Sequence, residues 1–310
     1  MVDDAVQRAR AFLNDTQNDD GGWGYRVGSQ SVTEATALAV IARPSRAAWE
    51  EGVDWLLRTQ REDGGWGVHG QDDAANWLTA WATWALLISA TPESTRAAHR
   101  GVNWLLDVPV VRITDSSETP DVMGVLGIDP RLAGWPWQPG EAAFVEPTAL
   151  CLLVMAAAGM TDHPRFAEGV AYLRDRVCQS GGWNVGNPFM FQKPLPPTPY
   201  NTALALLALQ KTGADREELV ITDGLAVLGD MLHLRMRAST VAWGIAALQA
   251  WSAETNGVRE RLLRQQLDDG GWERSPYATA SALFAVHEPT EQAFGRFSTA
   301  PASSQTKAGR

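Results

Sequence analysis

The stretch QREDGGWGVHGQDDAANWLTAWATWAL (60–86) contains the pattern that decides the fold. A Gly-Gly-Trp turn is followed by an apolar helical segment that carries a threonine. Related stretches begin at 17 (QNDDGGWG), 178 (CQSGGWN) and 266 (QLDDGGWE). Because self-similarity along a chain is the signature of a repeat architecture, the rest of the chain is expected to contain further units of this kind.

Two kinds of helical segment alternate along the chain. In the first kind, Ala, Leu, Val and Trp recur at helical spacing among charged residues, which predicts one-sided outer helices. These segments cover 2–17, 46–60, 95–108, 164–178, 216–232 and 257–266. The second kind is apolar nearly all round, which predicts inner helices buried on every side. Those cover 33–42, 75–90, 146–159, 201–210, 239–251 and 277–286.

Six alternations of outer and inner helix predict an all-α fold, an α6/α6 double ring (α/α toroid) of six helical hairpins. We expect one toroid domain over 1–290 and a disordered carboxyl-terminal tail over 291–310, where the sequence is polar. The glycine pairs supply positive-φ positions for the turn between the helices. The tryptophan that follows each pair is predicted to pack under the turn as a core residue.

Composition excludes several classes of function. The net charge is −10 and the 26 Lys and Arg residues form no cluster, so a nucleic acid partner is not expected. No apolar run is long enough for a transmembrane segment, and the first residues lack a signal-peptide core. The 2 cysteines fit a reducing compartment with free thiols. These features together predict a cytoplasmic location.

The repeats also carry a family resemblance. QREDGGWG and QLDDGGWE resemble the Gln-Trp repeats of the terpenoid cyclase and protein prenyltransferase superfamily. The stretch AGWPWQPGEAAFVEPTALCLLV (133–154) is similar to single-toroid bacterial proteins described as prenyltransferase and squalene-oxidase repeat proteins. The resemblance implies an α/α toroid with an apolar isoprenoid-type substrate in its central cavity. In the protonation-initiated cyclases of the family, a carboxyl group starts the cyclisation.

The chain departs from both known site patterns of this superfamily. Prenyltransferases hold zinc with an Asp-x-Cys pair and a histidine, whereas here Asp175 and Cys178 are one residue further apart and no histidine begins the last inner helix. No metal and no other cofactor is therefore expected. The acidic motif of the cyclases is matched only in part, by GQDDAA (70–75), which keeps Asp72 and Asp73.

An alignment of the inner helices predicts a belt of site residues. We expect the helices to begin at one end of the ring, where the long connections 109–144 and 179–200 also lie. The alignment rests on Thr36, Thr79, Thr148, Thr202, Thr240 and Thr279. Two residues before them stand Glu34, Trp77, Glu146, Tyr200, Ala238 and Tyr277. Aromatic rings stabilise cations, and a carboxyl in apolar surroundings has a raised pKa and can act as a general acid.

The candidate proton donors are Asp73 first, then Glu146 and Glu34, with Asp72 adjacent to the first. The candidate substrate-binding residues are Trp77, Tyr200, Tyr277, Trp81, Trp137 and Phe189. Each has a structural alternative. Ser31 and Glu34 have capping-box spacing, the other acids suit helix amino ends, and Trp77, Trp81 and Trp84 share a helical face that could be core. Trp135, Trp137 and Phe189 belong to the long connections and either pack onto the ring or form a lid.

Three hypotheses of function stay open at this point. The first is a terpenoid-cyclase-like enzyme of the isomerase, lyase or transferase class that binds an isoprenoid-type substrate. The second is a non-catalytic binding or scaffold toroid that recognises a lipid, a peptide or a protein partner through the long connections. The third is a carbohydrate-active toroid, since such rings also use paired carboxylates and aromatic platforms.

Overall fold

The computed structural model describes residues 2–114, 123–125, 127–190, 193–255 and 257–286. The tail predicted at 291–310 lies outside these residues. The outer helices are α1 (Val2–Asp15), α3 (Arg46–Thr59), α5 (Pro92–Asp107), α7 (Pro164–Asp175), α9 (Leu219–Leu232) and α11 (Val258–Arg264). The inner helices are α2 (Thr33–Ala42), α4 (Thr79–Ser89), α6 (Val145–Ala157), α8 (Pro199–Gln210), α10 (Ala238–Ala250) and α12 (Pro276–Val286).

Two short antiparallel hairpins lie in the long connections. Strand β1 (Trp135–Pro136) pairs with β2 (Ala143–Phe144) before α6, and β3 (Phe189–Met190) pairs with β4 (Lys193–Pro194) before α8. Both hairpins therefore lie just before the first residues of inner helices.

The inner helices form a closed ring. They pack side by side in the order α2, α4, α6, α8, α10, α12, and α12 packs in turn against α2. Each outer helix from α3 onward packs on the inner helix that precedes it, and α1 packs on α12. The predicted α6/α6 double ring is therefore confirmed. In this order α4 and α10 lie on opposite sides of the ring.

Burial follows the two sequence patterns. In α1 the buried residues, Ala5, Val6, Ala9, Phe12 and Leu13, recur at spacings of three and four and form one face. In α2 every residue is buried, including the first-turn carboxyl of Glu34. The inner helices consequently contribute most of the core, and any polar side chain on them must find a partner inside the protein.

A threonine on the inner helix anchors the tryptophan of the Gly-Gly-Trp turn. The Trp66 backbone N–H donates to Thr79 Oγ1 at 2.9 Å, and the Thr79 hydroxyl lies 3.3 Å from the Trp66 carbonyl oxygen, to which it donates. The Trp66 indole N–H donates to the Leu56 carbonyl of α3 at 2.8 Å. This arrangement, called the Trp–Thr staple below, links the outer helix, the turn and the inner helix of one hairpin.

The same staple occurs in five of the six hairpins. Its Trp–Thr pairs are Trp23–Thr36, Trp66–Thr79, Trp135–Thr148, Trp183–Thr202 and Trp272–Thr279. All five tryptophans are fully buried, which confirms the core role predicted for those after a glycine pair.

Trp135 packs as a staple residue and not as part of a lid. Its indole N–H donates to the Leu105 carbonyl at 2.7 Å, and its backbone N–H donates to Thr148 at 2.8 Å. A Cβ at Gly134 would lie 2.0 Å from Thr148 Oγ1, so only glycine fits there. The signal in the sequence was the spacing, since Trp135 precedes its threonine by 13 residues, as Trp66 does.

Glutamines join neighbouring outer helices. The Gln17 side-chain amide donates to the Ala48 carbonyl of α3 at 2.9 Å, and Gln60 donates to the Ala97 carbonyl of α5 at 2.8 Å. Gln266 donates to the Ala5 carbonyl of α1 at 2.8 Å. This last bond joins the two ends of the repeat array and closes the outer ring.

Candidate functional site

The connections that precede the inner helices are joined to each other at one end of the ring. Backbone and side-chain hydrogen bonds there join Thr33 to Val68, Trp77 to Trp137, Val145 to Val185, and Ser275 to Tyr25. The amino-terminal ends of these inner helices therefore share one end of the toroid, which is called the mouth below.

Glu34 is a buried acid in the first turn of α2. Glu34 is only 7% exposed. Its Oε2 accepts a hydrogen bond from the Tyr25 hydroxyl at 2.7 Å. Burial raises the pKa of Glu34 to about 7, nearby Glu146 adds to the rise, and the Tyr25 hydrogen bond opposes it. The helix cap is Val32, and the Ser31 hydroxyl donates to Asp20 at 2.6 Å, so the capping-box alternative does not describe Glu34.

Glu146 is the second acid and begins α6 in the same way. Burial also raises its pKa to about 7, while its contacts with the side chains of Tyr200 and Trp137 act in the opposite direction. Glu146 is half-buried by surface area and lies deep among protein atoms. Glu146 therefore keeps some accessible surface at the mouth, whereas Glu34 is buried.

Tyr277 and Tyr25 complete the arrangement. Their rings meet edge to face at 5.7 Å, and Tyr277 acts on the pKa of Glu34 through a side-chain contact. Burial and then the two carboxylates raise the pKa of Tyr277, so its phenol stays neutral. We call Glu34, Glu146, Tyr25, Tyr200 and Tyr277 the mouth cluster.

Tyr200 contributes a hydroxyl without a hydrogen-bond partner. The oxygen is buried, and within the described part of the chain it forms no hydrogen bond of acceptable distance and angle. It is nevertheless close enough to Glu146 and Tyr277 to affect the pKa of both. The rings of Tyr200 and Trp243 meet edge to face, with their centroids 6.4 Å apart. The neutral phenol of Tyr200 therefore lies among the other polar side chains of the cluster.

An aromatic plug fills the centre of the ring next to the mouth cluster. Trp81 and Trp84 on α4 reach across the axis to Trp243 on α10, with ring centroids 5.5 and 6.4 Å apart. Phe284 on α12 packs 5.0 Å from Trp243. The three tryptophans are at most 1% exposed. The lumen at this level is therefore occupied by side chains.

This plug corrects the prediction that Trp81 binds substrate. Trp81 is 0% exposed and stacks on Trp84 at 5.7 Å, so it has no surface that a ligand could contact. Trp81 and Trp84 are therefore core residues, which was the structural alternative given above for the tryptophans of this helix. Trp77, one turn earlier, is half-buried at the mouth and keeps some accessible surface.

Asp72 and Asp73 are not among the groups that act on the pKa of Glu34 or Glu146, although their loop is bonded to Thr33 at the start of α2. One Asp72 carboxylate oxygen accepts from the Val68 and His69 backbone N–H groups at 2.6 and 2.9 Å, so this acid orders its own loop. Asp73 is exposed to water. A solvated carboxylate lacks the apolar setting that a general acid needs, so the structure does not support the predicted rank of Asp73 as first proton donor.

The two remaining candidates lie in the strand hairpins. Trp137 follows β1, stacks on Phe144 at 4.0 Å with an interplanar angle of 16°, and contacts Glu146. It therefore borders the mouth cluster. Phe189 lies in β3, half-buried and close to Gly127, and pairs with Pro194.

The predicted belt needs one correction, in the fifth hairpin. There Val241, the fourth residue of α10, occupies the place that Thr36 has in α2, and the half-buried Thr240 is one residue out of register. Ser239 therefore takes the position assigned to Ala238. The Ala238 backbone N–H is capped by the Glu273 carboxylate at 2.7 Å.

Metal-ion clusters and membrane-spanning helices are both absent from the described residues. No group of three or more His, Cys, Asp or Glu side chains there is arranged to hold a metal ion. Within the same residues, no helix combines the length and apolarity needed to cross a bilayer.

A closed ring of inner helices inside a ring of outer helices defines an α6/α6 toroid, here with acids at the starts of two inner helices. The structure is similar to a variant of the type II terpene cyclase MstE from Scytonema in complex with geranylgeranyl dihydroxybenzoate. The TM-score is 0.62 and the identity 17%, over 94% of this chain and 97% of that chain.

Other proteins share this architecture. A protein from Actinoplanes matches with a TM-score of 0.59 and 19% identity, over 95% of this chain and 98% of that chain. A novel α-amylase from Clostridium perfringens matches with a TM-score of 0.63 and 12% identity, over 94% and 98%. No protein-family model and no curated protein matches the sequence. At such identities the likeness establishes the fold and leaves the activity open.

Proposed function

We propose that the protein binds a short isoprenoid-type molecule at the mouth and starts its cyclisation by protonation from Glu146. The observation that carries this proposal is a pair of buried carboxyl groups beside aromatic rings. Burial keeps a carboxyl protonated near neutral pH, and a protonated carboxyl in an apolar setting can transfer its proton to an alkene.

The proposed reaction is an isomerisation. The carboxyl proton of Glu146 adds to one alkene, whose π electrons form the new C–H bond and leave a carbocation. A second alkene of the same molecule supplies π electrons for the ring-closing C–C bond. Loss of a proton from the resulting cation gives the product, and the proton returns to a carboxylate of the mouth cluster. The faces of Tyr200 and Tyr277 stabilise the cation by about 0.5–2 kcal/mol per ring.

Glu146 is chosen over the other acids for its accessibility. Its carboxyl group belongs to a half-buried residue, whereas Glu34 is nearly fully buried and is held by Tyr25. Asp73 is exposed and lies outside the cluster. The Glu146 carboxylate left by the first step takes up the proton released at the end, so the acid is restored within one turnover.

The aromatic plug supports a short substrate. Trp243 lies against Tyr200 and, with Trp81, closes the lumen directly beneath the mouth cluster. A long polyprenyl chain would need space that these rings occupy, whereas a short chain can lie above them.

The test is product formation from prenyl alcohols of increasing length, followed by gas chromatography and mass spectrometry. We expect cyclised product from the shorter alcohols with the wild-type protein, none with Glu146→Gln, and wild-type yield with Asp73→Asn. The exposed Glu141→Gln variant serves as the matched control. Equal product from wild type and Glu146→Gln would refute Glu146 as the proton donor. Loss of product in Asp73→Asn alone would make Asp73 the first candidate donor, as the sequence predicted.

One observation favours a second candidate, a toroid that binds without catalysis. The plug fills the centre of the ring with tryptophan side chains that meet across the axis. In that case the mouth holds a lipid, a peptide or a protein partner. Native mass spectrometry of the purified protein separates the two, because a co-purified protein supports this candidate and a bound cyclic isoprenoid supports the enzyme.

A further inference from the structure

The mouth cluster contains two acids and no basic counter-charge among the described residues. The groups that act on the pKa of Glu34 are Tyr25, Tyr277 and Glu146, and those that act on Glu146 are Tyr200 and Trp137. The ion pairs formed elsewhere in the described residues involve neither acid. Every neighbour of the two carboxyls is therefore neutral or acidic.

Buried carboxylates normally have an arginine, a lysine or a metal ion beside them, because an unpaired buried charge is costly. Here the described residues compensate the charge only in part, through hydrogen bonds from neutral side chains such as Tyr25, and burial therefore still raises both pKa values to about 7. A ligand with a positive charge would provide the missing partner and would bind best when both carboxyls are ionised.

The uncharged members of the cluster suit the same kind of ligand. Tyr25 and Tyr277 meet edge to face, and Tyr200 presents a second phenol close to Glu146. Faces of such rings attract organic cations. The half-buried Trp77 and Trp137 keep accessible ring surface at the mouth, which suits an alkyl group.

We propose that the mouth cluster binds a small organic cation, a protonated tertiary amine with one alkyl arm. Its single N–H faces the Glu146 carboxylate, with Glu34 as the second negative charge behind it, and its arm lies against the half-buried rings of Trp77 and Trp137 at the mouth. This inference goes beyond the proposed cyclisation, because a stable ammonium ion occupies the site without any reaction.

Isothermal titration calorimetry with three probes of similar size tests the proposal. The probes are N,N-dimethylhexylamine as the cation, 1-octanol as the neutral molecule and octanoate as the anion. Near pH 8 we expect the amine to bind at least about tenfold more tightly than 1-octanol. This ratio corresponds to a difference of roughly 1.4 kcal/mol in binding free energy. Octanoate should not bind, since like charges face it.

Two further arms identify the site. The double variant Glu34→Gln with Glu146→Gln should lose at least about tenfold in amine affinity and keep its affinity for 1-octanol. Glu141→Gln should behave as wild type. In the wild-type protein, lowering the pH from about 8 to about 5.5 should weaken amine binding as both carboxyls become protonated. The three tyrosines, whose pKa values are raised, stay neutral throughout.

An amine that binds no better than 1-octanol near pH 8 would overturn the inference, and so would an amine affinity that is insensitive to pH. The pH series decides the question even if the double variant does not fold. If the protein prefers the amine but forms no cyclic product from prenyl alcohols, the proposed cyclisation is refuted and this inference stands. A protein that cyclises prenyl alcohols without preferring the amine would refute only this inference.

Discussion

Replacing Glu34 by glutamine should remove a pH dependence of the folding stability. Burial holds the pKa of Glu34 at about 7 in the folded protein, against 4.5 for the solvated group. Between these two values the folded protein keeps a proton that the unfolded chain has lost, so the free energy of unfolding falls as the pH rises. One pKa unit corresponds to about 1.4 kcal/mol, so this side chain destabilises the folded protein by about 3 kcal/mol near pH 8.

Urea denaturation at a series of pH values from about 4.5 to about 8 measures this effect. Near pH 4.5 the wild type and Glu34→Gln should have similar free energies of unfolding, because both side chains are then neutral. Near pH 8 the variant should be more stable by about 3 kcal/mol. Glu141→Gln, at an exposed position, should follow the wild type. A wild-type stability that stays level or rises over this range would show that Glu34 is not a buried acid.

The staple, the plug and the ring closure lead to three more predictions. Thr79→Val should cost about 2 kcal/mol in urea denaturation, because it leaves the buried backbone N–H of Trp66 unpaired, although the Trp66 carbonyl keeps its bond from the Asn76 N–H; Thr240→Val should be nearly neutral, and equal effects would contradict the staple. Trp243→Ala should cost about 3–5 kcal/mol and shift ligand preference in calorimetry toward longer prenyl alcohols; an unchanged preference would mean that the plug does not limit chain length. Gln266→Ala should speed amide hydrogen exchange in α1, and unchanged exchange would argue against its closing role.

The fold was predictable because it follows from periodicity alone. Helical spacing separates one-sided from all-round apolar segments, and six alternations of the two leave few other architectures. The meeting of Glu34 with Glu146 and Tyr277 at one end also followed from the shared position of these residues in their helices. Their chemical roles stay predictions.

Other parts of the site depend on geometry that no periodic pattern encodes. Tyr25 lies in a connection, where the direction of a side chain is set by the fold of the loop, and its bond to Glu34 had no signal in the sequence. The contact of Trp81 with Trp243 depends on the diameter of the inner ring, because the two helices are far apart in the chain and on opposite sides of the axis. Asp73 was favoured by its motif, which says nothing about exposure.

The Trp–Thr staple explains why a belt of site residues exists at all. Each staple fixes the start of its inner helix against the preceding turn, so the helix can neither slide nor rotate relative to its neighbours. The residue two positions before the threonine then occupies an equivalent place in each stapled hairpin, as Glu34 and Tyr277 do. In the fifth hairpin Val241 replaces the threonine, and the Glu273 carboxylate holds the helix start instead. This hairpin contributes no residue to the mouth cluster, whose belt residues Glu34, Glu146, Tyr200 and Tyr277 all come from stapled hairpins, so the staple is the bond that sets their register.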